Sequence, residues 1–346
     1  KRNKVGCEMR NVCYMIFFLL FFSFAAQAGV TEPVASGPFY VRSQNPLYLK
    51  FLAMPMEPAS TLVPGVWQNT LSTTFSNVFE YDPVGDTVLN LDMEIWRTAY
   101  SFAYGVSKVF DVRVDIAFVS NMGGFLDSFI QGYHDAFGFP NGGRDLVPNN
   151  EYHFELTQNG NALVDYSQET FGLSDVVLRG KYFLSKHISL PIDLATAFYF
   201  KLPVGRSGKG LSSGQADAGL SLFGQKSFKR FHLVSQLGVV VMGEDALLAP
   251  LQKRAQFVFG QSVEYQILDG WSVLAQLSGN TAAFDRVDTT DLSDPVMDLT
   301  LGFAGTFLPK KGRVGELFYQ WSFSEDVLSR GPSVDFSMLF LVGVRY

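Results

Sequence analysis

The chain has 346 residues, a formal charge of −6, 47% hydrophobic and 15% aromatic residues, and only 17% charged ones. That aromatic and aliphatic content excludes a disordered chain, and a pI near 5.3 argues against a nucleic-acid binder. Two cysteines, both before residue 14, exclude a disulfide or zinc scaffold.

Lys1, Arg2, Lys4 and Arg10 precede an apolar run from Tyr14 to Ala26, which closes on the small-x-small triplet Ala26-Gln27-Ala28. Residues 1–28 read as a secretory signal peptide, too short for a spanning helix. Met9 would start a more compact leader, so residues 1–8 read as lying upstream of the start. Cleavage after Ala28 removes both cysteines. It takes the formal charge from −6 to −9, because four basic residues leave with only Glu8. No apolar run of about 18 residues follows, so the exported chain is either soluble or a β-barrel.

Residues 29–65 form the next unit. Gly37-Pro38-Phe39-Tyr40 and the prolines through Pro64 make it too proline-rich for a membrane strand. It either hangs in the periplasm or folds into a lumen as a plug.

From residue 66 onward, apolar residues recur with period two. The strands are expected at about 66–76, 88–104, 109–120, 172–184, 188–202, 215–226, 231–242, 253–267, 271–281, 296–308, 313–324 and 334–346. In 109–120, Phe110, Val112, Val114, Ile116 and Phe118 alternate with Asp111, Arg113 and Asp115. In the last strand Val334, Phe336, Met338, Phe340, Val342, Val344 and Tyr346 keep one phase, longer than an ordinary half-buried soluble strand. Charges opposite an apolar face fit lipid outside and a polar lumen inside. Strand 88–104 changes parity near Trp96 and Arg97, which predicts a bulge. Connections alternate between short and long, the long ones being 77–87, 121–171, 203–214, 243–252, 282–295 and 325–333. That sorting fits short periplasmic turns and longer outer loops. The fold class is therefore all-β: a transmembrane antiparallel barrel of about twelve strands over 66–346.

The 121–171 loop is the largest insertion. Phe125, Leu126, Phe129, Ile130, Tyr133 and Phe137 describe a short amphipathic helix. Tyr152, Phe154, Leu156, the turn Asn159-Gly160 and Leu163 describe a hairpin. This hairpin would change the strand count by two if it joined the wall. The loop reads as a cap on the barrel mouth or as a gate or lid.

Several stretches carry a resemblance. They are Gly37-Pro38-Phe39 with Arg42-x-Gln44-Asn45-Pro46-Leu47, Gly-Gly-Phe-Leu-Asp at 123–127, and Tyr133-His134-x-x-Phe137-Gly138 running to Gly143-Arg144-Asp145. With them the chain resembles the bacterial family catalogued as domain of unknown function 3187. The resemblance implies an outer-membrane β-barrel. It brings no substrate, cofactor or catalytic residue with it.

His187-Ile188-Ser189 has the His-x-Ser spacing of an outer-membrane phospholipase, but Lys186 stands where that motif has Asn, and the stretch falls at a short turn; it reads as coincidence. Asp127, Ser128, His134, Asp135, Arg144 and Asp145 gather the side-chain types of a hydrolase in the long loop, although solvated polar caps explain them as well. Asp285, Asp288, Asp291 and Asp294 read as an acidic loop lacking the glycine and terminal glutamate of a calcium-binding loop. No metal site, cofactor or catalytic residue is assigned.

The lumen parity offers the better functional surface. Its charges are Asp92, Glu94, Asp111, Arg113, Asp115, Asp175, Arg179, Lys181, Asp193, Lys201, Asp217, Arg254, Glu264, Asp298, Glu316 and Asp335. They line either a narrow pore with mild cation preference or an ion-paired, closed interior. The expectation is a channel or passive transporter for small solutes in the bacterial outer membrane. The alternatives are a lipid- or lipopolysaccharide-acting hydrolase using the 127–145 loop, and a structural barrel with a salt-bridged lumen. Expected partners are outer-membrane lipid and lipopolysaccharide, the barrel assembly machinery and a small solute, with no nucleic acid.

Overall fold

Backbone amides and carbonyls inside a bilayer must be satisfied within the protein, and a sheet closed on itself does this without leaving an edge. The computed structural model of the protein shows such a sheet. It describes residues 37–138, 144–187, 190–285, 287–307, 315–328, 331, 332, 334 and 336–346, with only the backbone of His134, Phe137, Asp145 and Thr290. The predicted leader, Ser189 and Asp335 lie outside the described residues.

The ring runs in chain order through twelve strands: β1 (Trp67–Val84), β2 (Thr87–Ser107), β3 (Phe110–Met122), β7 (Val176–Phe183), β8 (Asp193–Leu202), β9 (Asp217–Phe228), β10 (Phe231–Val241), β11 (Ala255–Leu268), β12 (Trp271–Asn280), β13 (Val296–Phe307), β14 (Glu316–Asp326) and β15 (Phe336–Arg345). Every neighbouring pair is antiparallel, and β15 closes on β1 from Gln68↔Arg345 to Asn77↔Phe336. Three further strands add length to the wall without entering the ring. The hairpin β4 (His153–Gln158) and β5 (Asn161–Asp165) continues the sheet from β2, and β6 (Thr170–Leu173) pairs with the end of β3. The expected strand 172–184 is thus split between β6 and β7, with Asp175 at the break.

The expected loop 77–87 is instead strand. Asn77 to Val84 pairs with Glu94 to Thr87 rung for rung, and the hairpin turns on Gly85 at φ +57°. The expected bulge at Trp96 and Arg97 is also absent: the β1–β2 register is unbroken there. The apparent parity change has another cause. Odd residues of β2 face inward along its whole length. Below Trp96 the inner residues are Arg97, Ala99, Ser101 and Ala103, while Trp96 and Tyr100 face out. Above it the inner residues are Leu89, Leu91, Met93 and Ile95, all fully buried. The strand holds its geometry while the apolar medium passes from outside the wall to inside it.

The outer face of the lower half is apolar, with Leu71, Ile116, Phe198, Leu220, Val263, Leu301 and Phe340 exposed. Aromatic pairs Trp67–Tyr104, Phe231–Tyr265 and Phe307–Tyr319 mark the end bearing the short turns, with ring centroids 4.2, 4.8 and 5.5 Å apart. Such girdles are typical of the membrane–water boundary.

The interior is occupied by the chain itself. From Gly37 at the short-turn end the segment ascends the lumen. It turns at helix α1 (Pro46–Leu49) near the long-loop end, then descends through Met54 and Glu57 to enter β1. Asn45 caps the helix, its side-chain oxygen accepting from Leu47 N at 3.0 Å, with Pro46 at the first helical position. Tyr48 and Phe51 pack on the Phe284 ring at 5.8 and 6.1 Å. With Leu47, Leu52, Leu211, Leu248 and Leu292 they form an apolar core inside the long-loop half. Wall glycines make room for the descending limb: a Cβ at Gly219 would sit 2.5 Å from Met54 Sδ, and one at Gly260 2.5 Å from Met56 Sδ.

Candidate functional site: a charged lumen and its internal segment

A proline-rich segment has few internal backbone hydrogen bonds, so its amides and carbonyls need partners elsewhere. The lumen wall supplies them. Gly37 N donates to Glu264 Oε2 (3.0 Å), Tyr40 N to Gln320 Oε1 (3.2 Å), Leu52 N to Asp217 Oδ2 (2.8 Å), Ala59 N to Gln225 Oε1 (2.9 Å) and Leu62 N to Asp111 Oδ2 (2.8 Å). Gln236 Nε2 donates to Met54 O (2.9 Å) and Gln320 Nε2 to Pro38 O (3.0 Å). These residues lie on β3, β9, β10, β11 and β14, a distribution around the ring that only a segment inside it can meet.

Two ionic centres anchor the segment. Glu57, 4% exposed, meets Arg113 Nη2 (3.0 Å), Arg179 Nη2 (3.0 Å) and Lys181 Nζ (3.2 Å), and Tyr199 OH donates to it at 2.7 Å. Burial alone would push the Glu57 carboxyl up, but the three cations outweigh it and hold the group below the usual carboxylate range. Arg179 also pairs with Asp111, and Arg113 with Asp115. Tyr40 joins this centre, its OH donating to Asp115 at 2.8 Å and accepting from Arg113 at 2.8 Å.

The second centre is Lys201. It meets Asp175 at 2.9 Å and Asp217 at 3.0 Å, and donates to Lys50 O at 2.6 Å and Ser213 Oγ at 2.8 Å. Lys50 reaches Asp245 at 2.6 Å; burial lowers its pKa, and Asp245 opposes that shift. Arg42 donates to Tyr48 O and Phe51 O, across the turn of the segment. Burial, with Arg97 as a second cation nearby, lowers the Arg42 pKa to about 9.

Below the Glu57 centre lies a cavity of about 510 Å³ at the short-turn end, reaching the rim at Gln68 and Tyr346. Its charged lining is Arg113, Arg179, Lys181 and Arg345 against Glu57, Asp111 and Glu316.

The structure brings Asp111, Arg113, Asp115, Asp175, Arg179, Lys181, Lys201, Asp217 and Glu264 into the buried interior. Asp298 is half-buried beside Arg42, and Glu316 is half-buried against Arg345 at 3.0 Å. Asp92 and Glu94 are corrections. They share the outward face with Trp96, where the long loop covers them: Glu94 accepts from Phe125 N at 2.6 Å and from Leu126 N. Arg254 is exposed and paired with Glu244 at 2.6 Å on the long-loop rim. Asp193 keeps the lumen parity but is exposed at the short-turn rim.

In the long loop, helix α2 (Asp127–Phe137) begins at Asp127. Its carboxylate is held by Arg144 Nη1 (2.6 Å), Asn77 Nδ2 (3.2 Å) and Asn150 N (2.7 Å), and the Arg144 guanidinium lies over the Phe79 ring. This cluster clamps the loop to the outer wall. Ser128 accepts from Asn149, and Asp135 is exposed. At the short turn, His187 pairs with Tyr182 OH at 2.9 Å.

Sequence reasoning passed over Tyr40, Arg42, Lys50, Glu57 and Arg97. One signal was available for Glu57: it is the only acidic residue between Gly37 and Gly65. A lone acid in an apolar, proline-rich segment needs basic partners if that segment is buried.

No curated protein matches this chain. Among solved structures it is similar to the COG4313 outer membrane channel from Pseudomonas putida F1, at 10% identity and a TM-score of 0.54, over 84% of this chain and 100% of that one. The Pseudomonas putida toluene transporter TodX aligns at 11% identity and a TM-score of 0.35, over 91% and 95%. Of the two, only the first score bears on the fold, which is that of an outer-membrane β-barrel. The family described as "Protein of unknown function (DUF3187)" matches residues 14–346, and the chain belongs to it.

Proposed function

We propose that the protein resides in a bacterial outer membrane, short turns toward the periplasm, and is a channel for small solutes that its own residues 37–62 hold closed in this state. The carrying observation is the type of contact between segment and wall. In the lower half the segment is attached by side-chain hydrogen bonds and ion pairs to a charged lumen, above a cavity of about 510 Å³. A permanently solid interior would be filled more stably by apolar side chains, since buried ion pairs seldom outperform well-packed hydrophobic residues. Charged lumen walls are what small hydrophilic solutes require. Outer-membrane lipid and lipopolysaccharide cover the apolar belt. The cavity itself has four cations against three carboxylates.

The test is planar-bilayer recording of the refolded chain beside a variant lacking residues 29–60. The expected result is a quiet parent and a variant with discrete conductance steps. A variant that folds as a barrel and stays silent removes the channel reading. It favours the second reading, a structural barrel, for which the packed apolar core around α1 speaks.

A further inference from the structure

The Glu57 centre has the construction of a carboxylate receptor. Both carboxylate oxygens are engaged: Oε1 by Arg113 and Tyr199, Oε2 by Arg179 and Lys181. All four donors stand on neighbouring wall strands β3, β7 and β8, held in place by the ladder and by Asp111 and Asp115. The carboxylate arrives on a different element, a stretch with proline on either side of Met56-Glu57, outside every strand. The receptor belongs to the rigid wall and the occupant to a removable limb. Without Glu57 the wall would hold three cations against two carboxylates, in a cavity that reaches the short-turn rim. A cavity of about 510 Å³ falls within the ordinary size range of small-molecule sites.

We propose that Arg113, Arg179, Lys181 and Tyr199 form a binding site for small organic carboxylates, and that Glu57 occupies it as an internal surrogate until a solute carboxylate replaces it. Replacement frees the descending limb, residues 55–62, and widens the cavity. The apex at α1 stays anchored, because its main attachment is the apolar core, which no carboxylate challenges. On the channel reading, on which this part rests, the site is a station for solute at the short-turn end. The binding itself does not depend on conduction. Glu57 is tethered, so it competes at a millimolar effective concentration, and a simple ligand must be supplied at about 50 mM to displace it.

The test uses the full chain with Cys7 and Cys13 replaced and one reporter thiol, Ala59→Cys. Ala59 is fully buried and its amide is hooked to Gln225. Labelling by a water-soluble maleimide reads release of the limb. Propionate, the side-chain acid of glutamate, is the probe; chloride at equal ionic strength and propionamide are the controls. Propionate is expected to speed labelling at least about fivefold over both controls. With Glu57→Gln added, labelling is expected to be fast without propionate and indifferent to it. Equal labelling in propionate and chloride overturns the proposal, and that comparison on the Glu57-containing chain decides even where E57Q does not refold. Bilayer recording separates the two readings. Propionate-dependent labelling with a silent 29–60 deletion variant keeps the site and removes the channel. Currents through that variant with propionate-independent labelling keep the channel and remove the site.

Discussion

The lower and upper halves of this barrel use one backbone geometry in opposite media. Below Trp96 the outward side chains are apolar and the inward ones polar or charged, with Leu71 and Phe198 outside and Arg113, Arg179 and Lys181 inside. Above it the inward face is apolar, where Leu89, Leu91, Met93, Phe154 and Leu156 meet the apex of the internal segment. The outward face carries Asn90, Asp92 and Glu94 beneath a polar loop clamp. Strand alternation specifies two faces and does not say which is apolar; the surrounding medium decides that. The halves also hold the internal segment differently: apolar packing, helped by Lys50–Asp245 and the Lys201 bond to Lys50 O, fixes its apex, and ion pairs and amide hooks without an apolar core fix its lower limbs.

Four expectations probe this contrast. The largest effect belongs to Leu91→Asp, which puts a charge inside the upper core. It should cost more than about 4 kcal/mol and expose the β1–β2 hairpin to amide exchange. Asn90→Asp on the opposite face should stay within about 0.5 kcal/mol. Equal costs would contradict the inverted faces. Next comes Lys201→Met, which strands Asp175 and Asp217 without their cation; denaturant unfolding in vesicles should show a loss of about 3–5 kcal/mol. Leu220→Lys, on the outer belt of the lower half, should cost about 2–4 kcal/mol by the same measurement. Leu247→Lys, exposed on a loop at the long-loop end, should cost next to nothing.

The smallest effect is that of acid on the Glu57 centre. Its carboxyl is held below the usual range, so the contribution of the centre is complete above the ordinary glutamate range and is lost only as pH falls below it. The groups facing it, Arg113, Arg179, Lys181 and Tyr199, ordinarily titrate well above neutrality. Maleimide reacts with the thiolate, so the rate at each pH is read relative to a free cysteine; on that scale Ala59→Cys should be as protected at pH 5 as at pH 7. A higher relative rate at pH 5 would mean the carboxylate is not held as described.

The ring was legible wherever lipid lies on one side of a strand and water or charge on the other. Val112, Val114 and Ile116 against Asp111, Arg113 and Asp115 is such a stretch. It failed where the medium changes. The tip of β1 and β2 read as loop, and Asp92 and Glu94 read as lumen residues, because their parity was judged as though lipid surrounded the strand throughout. The path of residues 37–62 was not legible, since proline-rich chain without secondary structure has no period to read. Its partners, Gln225, Gln236, Gln320 and Gln276 (which donates to Phe39 O at 3.3 Å), are uncharged and carry no motif that marks them in the sequence. They matter because they satisfy the backbone of a segment that cannot satisfy its own.

The central claim is that the internal segment closes a lumen otherwise able to conduct. Single-channel recording of the parent and of the variant lacking residues 29–60, both refolded and matched for heat-modifiable barrel content, tests it most directly. The predicted result is a silent parent and a variant with discrete conductance steps. A folded variant as silent as its parent would contradict it.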